Sequence, residues 1–300
     1  MKRVLLTGGT GFIGRQCIKY LNDYGYEIHA TFHRKPLNNK IYWYKADLLN
    51  LTETTRLISF VQPTHILHTA WYMEHDNFWD SENNYLWVQA SHNLLAAAEA
   101  FDVERFVGVG SCSEYNCTND PCREYITPIT PSSVYGQCKA ATQSICAGYS
   151  KKNQALSIGW GRLFYLFGEN ENQKKVISSV IRSLIQGVSI KCTDGRQIRD
   201  YLYVKDAASA LVSFLESKIS GPVNIASGNA LEVRDILKLT AEITGRGELL
   251  KLGALETRKN EPKIIKADVT RLNNEVGWKL GNSIEDGLIT TVDWLKSIKK

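Results

Sequence analysis

The sequence predicts an α/β protein, a doubly wound parallel sheet followed by a smaller C-terminal α/β domain, and three observations carry this. Short apolar runs at residues 4–7, 27–32, 65–68 and 106–110 are each separated from the next by a helix-like or polar stretch. That alternation marks right-handed parallel crossovers. The first run passes directly into TGGTGFIG, residues 7 to 14. Beyond about residue 164 the alternation loosens, so the expected domains are 1–163 and 164–300, with part of 198–226 able to return to the first.

The glycine segment comes first. A buried strand stopping at Gly8 has to turn sharply into a helix, one face of which is marked by Phe12, Ile13, Cys17, Ile18 and Leu21. Gly8, Gly11 and Gly14 leave no side chain where backbone would approach a pyrophosphate and where helix meets strand. The unpaired N–H groups and dipole at the helix start favour an anion there. Strand, turn and helix in this order predict a dinucleotide site lined by Gly8, Gly11, Phe12, Ile13 and Gly14.

The second strand ends in Thr31-Phe32-His33-Arg34, near where a ribose-binding acid stands when the cofactor is NAD. No acid is present. Arg34, with His33 beside it, suits a 2′-phosphate, which favours NADP(H) over NAD(H); the alternative is that Arg34 and Lys35 are solvated loop charges. Asp47, followed by Leu48, is placed to accept a hydrogen bond from the adenine amine. Helices are expected over 52–61 and 84–101, the latter with Leu86, Ala90, Leu94, Ala97 and Ala98 on one stripe. Trp71, Tyr72, Phe78 and Trp79 follow the third strand and suit either stacking on a ligand or a core or lid role.

Tyr135 and Lys139 stand four apart at the start of a helix running to about Ser150, which puts them on one face. A phenol with an ordinary pKa near ~10 is a poor acid or base at neutral pH, and an adjacent ammonium is expected to lower it. Ser111 ends the fourth strand, at the carboxyl edge where such sheets place ligands. Its hydroxyl can hold the same substrate oxygen, with Ser113 as the fallback. Later elements are expected as helices over 174–186, 205–215, 233–244 and 284–296 and a strand over 223–226.

Composition sets limits. The net charge of +5 is spread along the chain without a Lys/Arg block, so nucleic-acid binding has little support. No run approaches the ~20 apolar residues of a membrane span, and the cytoplasm is the default expectation. Seven cysteines is an odd count, and Cys112, Cys117 and Cys122 recur every five residues with no companion histidines. Free thiols are expected, with neither a disulfide framework nor a metal site.

TGGTGFIG, the His68-Thr69-Ala70 step, Ser111 followed 24 residues later by Tyr135 and Lys139 within PSSVYGQCK, and GRQIRDYLYVKD together resemble the extended short-chain dehydrogenase/reductase family. That family holds nucleotide-sugar epimerases, dehydratases and reductases. The resemblance implies a Rossmann-type first domain, a second domain binding a nucleoside-diphosphate sugar, and a homodimer made through the helices near 84–101 and 134–150. It implies that Tyr135 is the acid/base, that Lys139 binds the nicotinamide ribose and tunes Tyr135, and that Ser111 polarises the sugar carbonyl. Ala70 would lie against the cofactor, and Arg199 and Arg258 would contact the diphosphate, a role that suits guanidinium forks. Asp200 and Asp206 look structural, the latter as N-cap of a helix from Ala207.

The chain departs from the family pattern at Trp87 and at Phe164-Tyr165, each standing where Asn is common. In the dehydratases of the family the catalytic hydroxyl precedes an Asp-Glu pair, whereas here Cys112 and Ser113 follow Ser111. Dehydration is therefore disfavoured. The basic end of the second strand, the stretch from Ile190 to Asp200 and the later GALETRKNE look similar to CDP- and dTDP-4-keto-6-deoxyhexose reductases, abequose synthase among them. The expected activity is NADPH-dependent reduction of the C4 ketone of a nucleoside-diphosphate 4-keto-6-deoxy sugar, in deoxysugar or surface-polysaccharide biosynthesis. The alternatives are an NAD(P)-dependent 4-epimerase and a non-catalytic NADP(H)-binding protein.

Overall fold

Val4, Leu5 and Leu6 are wholly buried because strand β1 (Arg3–Thr7) runs through the interior of a seven-stranded sheet. The structure is a computed structural model and describes residues 2–37, 40–74, 77–257 and 261–298. After β1 come helix α1 (Gly14–Asp23), β2 (Glu27–Phe32) and β3 (Tyr42–Lys45). Then follow α2 (Leu51–Val61), β4 (His65–His68), α3 (Asn83–Ala100) and β5 (Arg105–Ser111). Helix α4 (Val134–Lys152), β6 (Ser157–Leu163), β7 (Tyr165–Phe167), α5 (Val176–Ile185) and β8 (Ile190–Lys191) lead out of the large sheet. The chain continues through β9 (Ile198–Tyr203), α6 (Val204–Glu216), β10 (Gly221–Ile225), β11 (Ala230–Glu232) and α7 (Val233–Thr244). It ends with β12 (Leu250–Lys251), β13 (Ile264–Ile265), α8 (Thr270–Asn274) and α9 (Ile284–Ser297).

The large sheet has the order β10-β6-β5-β4-β1-β2-β3, and every neighbouring pair is parallel. Strand order reverses between β1 and β4, which opens a crevice at the carboxyl edge. The glycine turn, the segment after His68 and the segment after Ser111 all leave the sheet along that edge. Helices cover both faces, as the continuous apolar strands require. On one face Cys17 and Leu21 of α1 pack with Leu211 and Phe214 of α6; on the other Leu57, Leu94 and Cys146 come from α2, α3 and α4. A four-stranded sheet of β7, β9, β11 and β13, with α5, α7 and α9, forms the smaller layer beside the crevice.

The doubly wound sheet agrees with the sequence expectation, and three details differ. Strand β3 was not expected, because YWYK at a sheet edge leaves Tyr42 and Lys45 exposed and lacks a buried run. Ser111 therefore ends the fifth strand. Helix α6 opens at Val204, so Asp206 lies in its first turn and is not the N-cap; its Oδ1 accepts from Asn282 Nδ2 at 3.0 Å. Strands of two or three residues, such as β8 and β12, leave too few positions for any period to be read. Among the described residues no helix is long and apolar enough to cross a membrane.

His68 joins β4 to both neighbours. Ser91 Oγ donates to Trp87 O, so it accepts from His68 Nε2–H at 2.9 Å, which leaves Nδ1 to accept from the Thr7 hydroxyl at 2.7 Å; Thr7 Oγ1 also accepts from Ala70 N–H. Burial pushes the ring down from 6.5 to about 3. The unfolded ring takes up a proton near pH 6.5 and the folded one only near 3, so this group withdraws stability as pH falls across that window. Urea unfolding at pH 7 and pH 4.5 is expected to show a smaller loss in His68→Gln than in the wild type; equal losses would remove His68 from acid sensitivity.

Candidate active site

The turn after β1 leaves no room for side chains. Gly8 has φ +68°, and a Cβ there would stand 2.9 Å from Ala70 Cα and N. A Cβ on Gly14 would collide with the Gly8 carbonyl. Gly11 N–H closes the turn onto Gly8 O at 2.8 Å, while the N–H groups of Phe12, Ile13 and Gly14 meet no backbone carbonyl among the described residues. Orphan donors at a helix start fit a pyrophosphate. His33 and Arg34 are exposed just past β2. Asp47 is exposed with Oδ1 accepting from Leu49 N–H at 3.0 Å, and Leu48 is buried beneath it.

Ser111 is held from below. The residues after it form one 3-10 turn, Cys112–Glu114, in which Ser111 Oγ accepts from Ser113 N–H at 3.1 Å and Glu114 Oε1 accepts from Ser111 N–H at 2.8 Å. Glu114 is wholly buried and also accepts from Trp160 Nε1 at 2.9 Å and Arg162 Nε at 2.6 Å. Sequence reasoning missed Glu114, although the S-x-x-E spacing of a capping box was available. Between the two candidate hydroxyls, Ser111 is the one close enough to the Tyr135 hydroxyl to favour its ionised form.

Helix α4 starts on a Ser133 cap, Oγ accepting from Gly136 N–H at 3.1 Å, and this points Tyr135 and Lys139 into the crevice wall. Lys139 Nζ donates to Val109 O at 2.7 Å and stands 3.6 Å from the centre of the Trp71 ring. Trp71 is held in turn by Asn84 Oδ1, which accepts from its Nε1 at 2.8 Å. The Tyr135 ring meets the edges or faces of Phe78, Trp79 and Trp71 at 5.2, 5.6 and 6.5 Å between centroids. Only 8% of Tyr135 is exposed.

This corrects the expectation that Lys139 makes Tyr135 acidic. Burial pushes the Tyr135 hydroxyl upward, opposed by the neighbouring Ser111 hydroxyl, and burial pushes Lys139 down to about 7. The two groups share one dry pocket, so each loses hydration of its charged form. The ammonium is aimed at a carbonyl and an indole. Of the four aromatics after β4, Trp71, Phe78 and Trp79 enclose Tyr135, while Tyr72 turns outward to Glu74.

The smaller layer supplies the opposite wall. Arg199 on β9 is 2% exposed, donates to Ile198 O and to Glu261 Oε1 at 2.9 Å each, and lies 5.5 Å from the Tyr165 ring centre. Its guanidinium is thus already paired. Arg258 lies outside the described residues. Asp200 is structural, as expected, its carboxylate accepting from Ser227 N–H and Gly228 N–H at 2.9 and 3.0 Å. Lys175 and Glu171 were not foreseen, since a polar loop carries no sequence signal for them. Lys175 Nζ stands 5.4 Å from the Phe78 ring centre, and burial pushes the Glu171 carboxyl up to about 8.

The chain is similar to known proteins. A family model described as the NAD dependent epimerase/dehydratase family matches residues 4–226. UDP-glucuronic acid decarboxylase 1 of Xenopus tropicalis is 25% identical over 98% of this chain and 72% of its own length. CDP-abequose synthase of Salmonella muenchen is 24% identical over 96% of each. A crystal structure of UDP-glucose 4-epimerase from Thermotoga maritima, with UDP-glucose, superposes with a TM-score of 0.88 at 22% identity, covering 99% of this chain and 100% of that one. With a matched family model running from β1 to the end of β10 and the glycine turn, Ser111, Tyr135 and Lys139 all along one sheet edge, the chain belongs to the NAD-dependent epimerase/dehydratase family and is an enzyme of that family.

Proposed function

We propose that this enzyme reduces the C4 ketone of a nucleoside-diphosphate 4-keto-6-deoxy sugar with NADPH. The observation that carries the reading is the pair of neighbouring hydroxyls, Ser111 at the end of β5 and Tyr135 at the start of α4, with Lys139 one turn beyond. A bound nicotinamide supplies the hydride. Tyr135 gives its proton to the oxygen that becomes an alkoxide, and Ser111 donates to the same oxygen. Both donors are fixed before charge develops, which concentrates their effect on the transition state. Burial favours the neutral phenol, and a neutral phenol is the form a reductase needs at the start.

Glu114 supports redox chemistry over dehydration. It is the carboxylate nearest Ser111 in sequence, and it is committed to Arg162 and Trp160. The diphosphate is assigned to Arg199, which exchanges Glu261 for phosphate oxygens when substrate enters. Trp71 covers the Lys139 ammonium, so the indole turns aside when Lys139 takes the ribose hydroxyls. Exposed Tyr85 and Leu86 on α3 suit a homodimer through α3 and α4.

The His33-Arg34 end of β2 supports NADP(H). Arg34→Ala is expected to weaken NADPH binding by about tenfold or more, the loss of a charge-assisted phosphate contact, and to leave NADH within twofold. Fluorescence titration with both cofactors measures this, and equal losses would separate Arg34 from the 2′-phosphate.

A second reading, a nucleotide-sugar 4-epimerase, is favoured by the family and by the fold shared with the Thermotoga protein. CDP-, dTDP- and UDP-linked sugars, as 4-keto-6-deoxy forms and as hydroxyl epimers, distinguish the two. Stoichiometric loss of NADPH with a 4-keto substrate is the expected result. Interconversion of C4 epimers without net cofactor loss would establish the epimerase, and cofactor binding with neither reaction would leave a binding protein.

A further inference from the structure

We propose that Cys117 and Cys122 form a dithiol that a peroxide converts to a disulfide beside the reaction site, a modification independent of which sugar the enzyme reads. The two sulfurs are 3.2 Å apart, with the Cys122 S–H directed at Cys117 Sγ. Bond formation needs them to close by roughly 1 Å to a sulfur–sulfur length of ~2.05 Å. Cys117 is partly exposed, whereas Cys17, Cys112, Cys122, Cys138, Cys146 and Cys192 are buried. An oxidant from solvent therefore meets Cys117 first, and the thiol able to resolve it is already in contact.

The surroundings fit this division of labour. The hydrogen bond from Cys122 and the nearby Arg199 guanidinium both draw Cys117 toward the thiolate. A thiolate that is accessible and electropositively placed is the reactive form of cysteine. Cys122 is wholly buried, and its N–H is fixed to Lys266 O at 2.8 Å, so its backbone is anchored beside Cys117 for the second step. Cys112 meets Cys117 through its carbonyl, which lies 3.9 Å from the sulfur, and the sulfur–sulfur contact is made by Cys122.

The chemistry balances in two displacements. Cys117 thiolate attacks one oxygen of hydrogen peroxide; an S–O bond forms, the O–O bond breaks, and the departing hydroxide takes a proton as water. Cys122 sulfur then attacks the sulfenic sulfur; the S–S bond forms, the S–O bond breaks, and a second water leaves. Two thiols lose two electrons in total, and peroxide accepts them.

The test uses the full chain, treated with a few equivalents of hydrogen peroxide, quenched, unfolded and alkylated before mass spectrometry. The expected product is lighter by about 2 Da before alkylation and carries five alkylated cysteines where the untreated chain carries seven. Cys112 should be alkylated, Cys117 and Cys122 should not, and dithiothreitol should restore both. Cys122→Ser should stop at a sulfenic acid on Cys117 that dimedone traps, and Cys117→Ser should slow peroxide consumption by at least tenfold. Seven alkylated cysteines after peroxide, a bond involving Cys112, or a Cys122→Ser protein with no dimedone adduct at Cys117 each overturns the proposal. The wild-type experiment stands without the variants, so misfolding of a serine variant does not rescue it.

Discussion

Tyr135→Phe is expected to lower kcat by about 10³-fold while NADPH binding changes little, because the variant loses the proton donor and keeps the ring. The ring alone makes the contacts with Phe78, Trp79 and Trp71, so phenylalanine occupies the same cage. The hydroxyl is the part that has Ser111 as a neighbour. Removing it deletes an interaction that strengthens as charge appears on the substrate oxygen, which lowers kcat and kcat/KM together. Steady-state rates with a 4-keto sugar nucleotide, beside a fluorescence titration of NADPH, measure the two effects separately. A variant keeping a tenth of its turnover would take Tyr135 out of the proton transfer.

The residues that sequence reasoning found are those whose role depends on backbone or on short-range spacing. Gly8 and Gly14 are readable because no side chain fits where Ala70 and Gly8 O stand, and that demand is written into eight consecutive residues. Tyr135 and Lys139 are readable as neighbours because a helix turn fixes them. Their chemistry was not readable: four-residue spacing gives adjacency and says nothing of hydration, and it is Trp71, from a loop more than sixty residues upstream, that takes the ammonium. Arg199 shows the same limit. Its type suggested a phosphate, and its partner Glu261 comes from a segment with no pattern. The edge strand β3 was missed because it buries no continuous run, whereas β1, β4 and β5, apolar on both faces, were found.

Glu114→Ala should be the most destabilising change near the site, and the reason lies in what it leaves behind. Arg162 is 1% exposed and Glu114 wholly buried, with Nε and Oε2 2.6 Å apart. Deleting the carboxylate strands a guanidinium in the core, which costs about 3–5 kcal/mol. Tyr115 Oη and Glu124 O, at 3.0 and 3.3 Å, still accept from Arg162, but neither carries a compensating charge. Urea unfolding should register the loss. Replacing both partners together, Glu114→Leu with Arg162→Met, removes the stranded charge and should recover part of the stability, the Trp160 Nε1–H and Ser111 N–H donors still lacking their acceptor. It should not recover activity, because Ser111 N–H donates to Glu114 Oε1 and the leucine cannot accept. Stability and turnover thus part company in the double variant, with kcat still depressed by about 10²-fold or more as the Ser111 hydroxyl loses its fixed position. A double variant that regains both would mean that Ser111 is positioned by the turn alone; a single variant losing under about 1 kcal/mol would mean that water reaches Arg162.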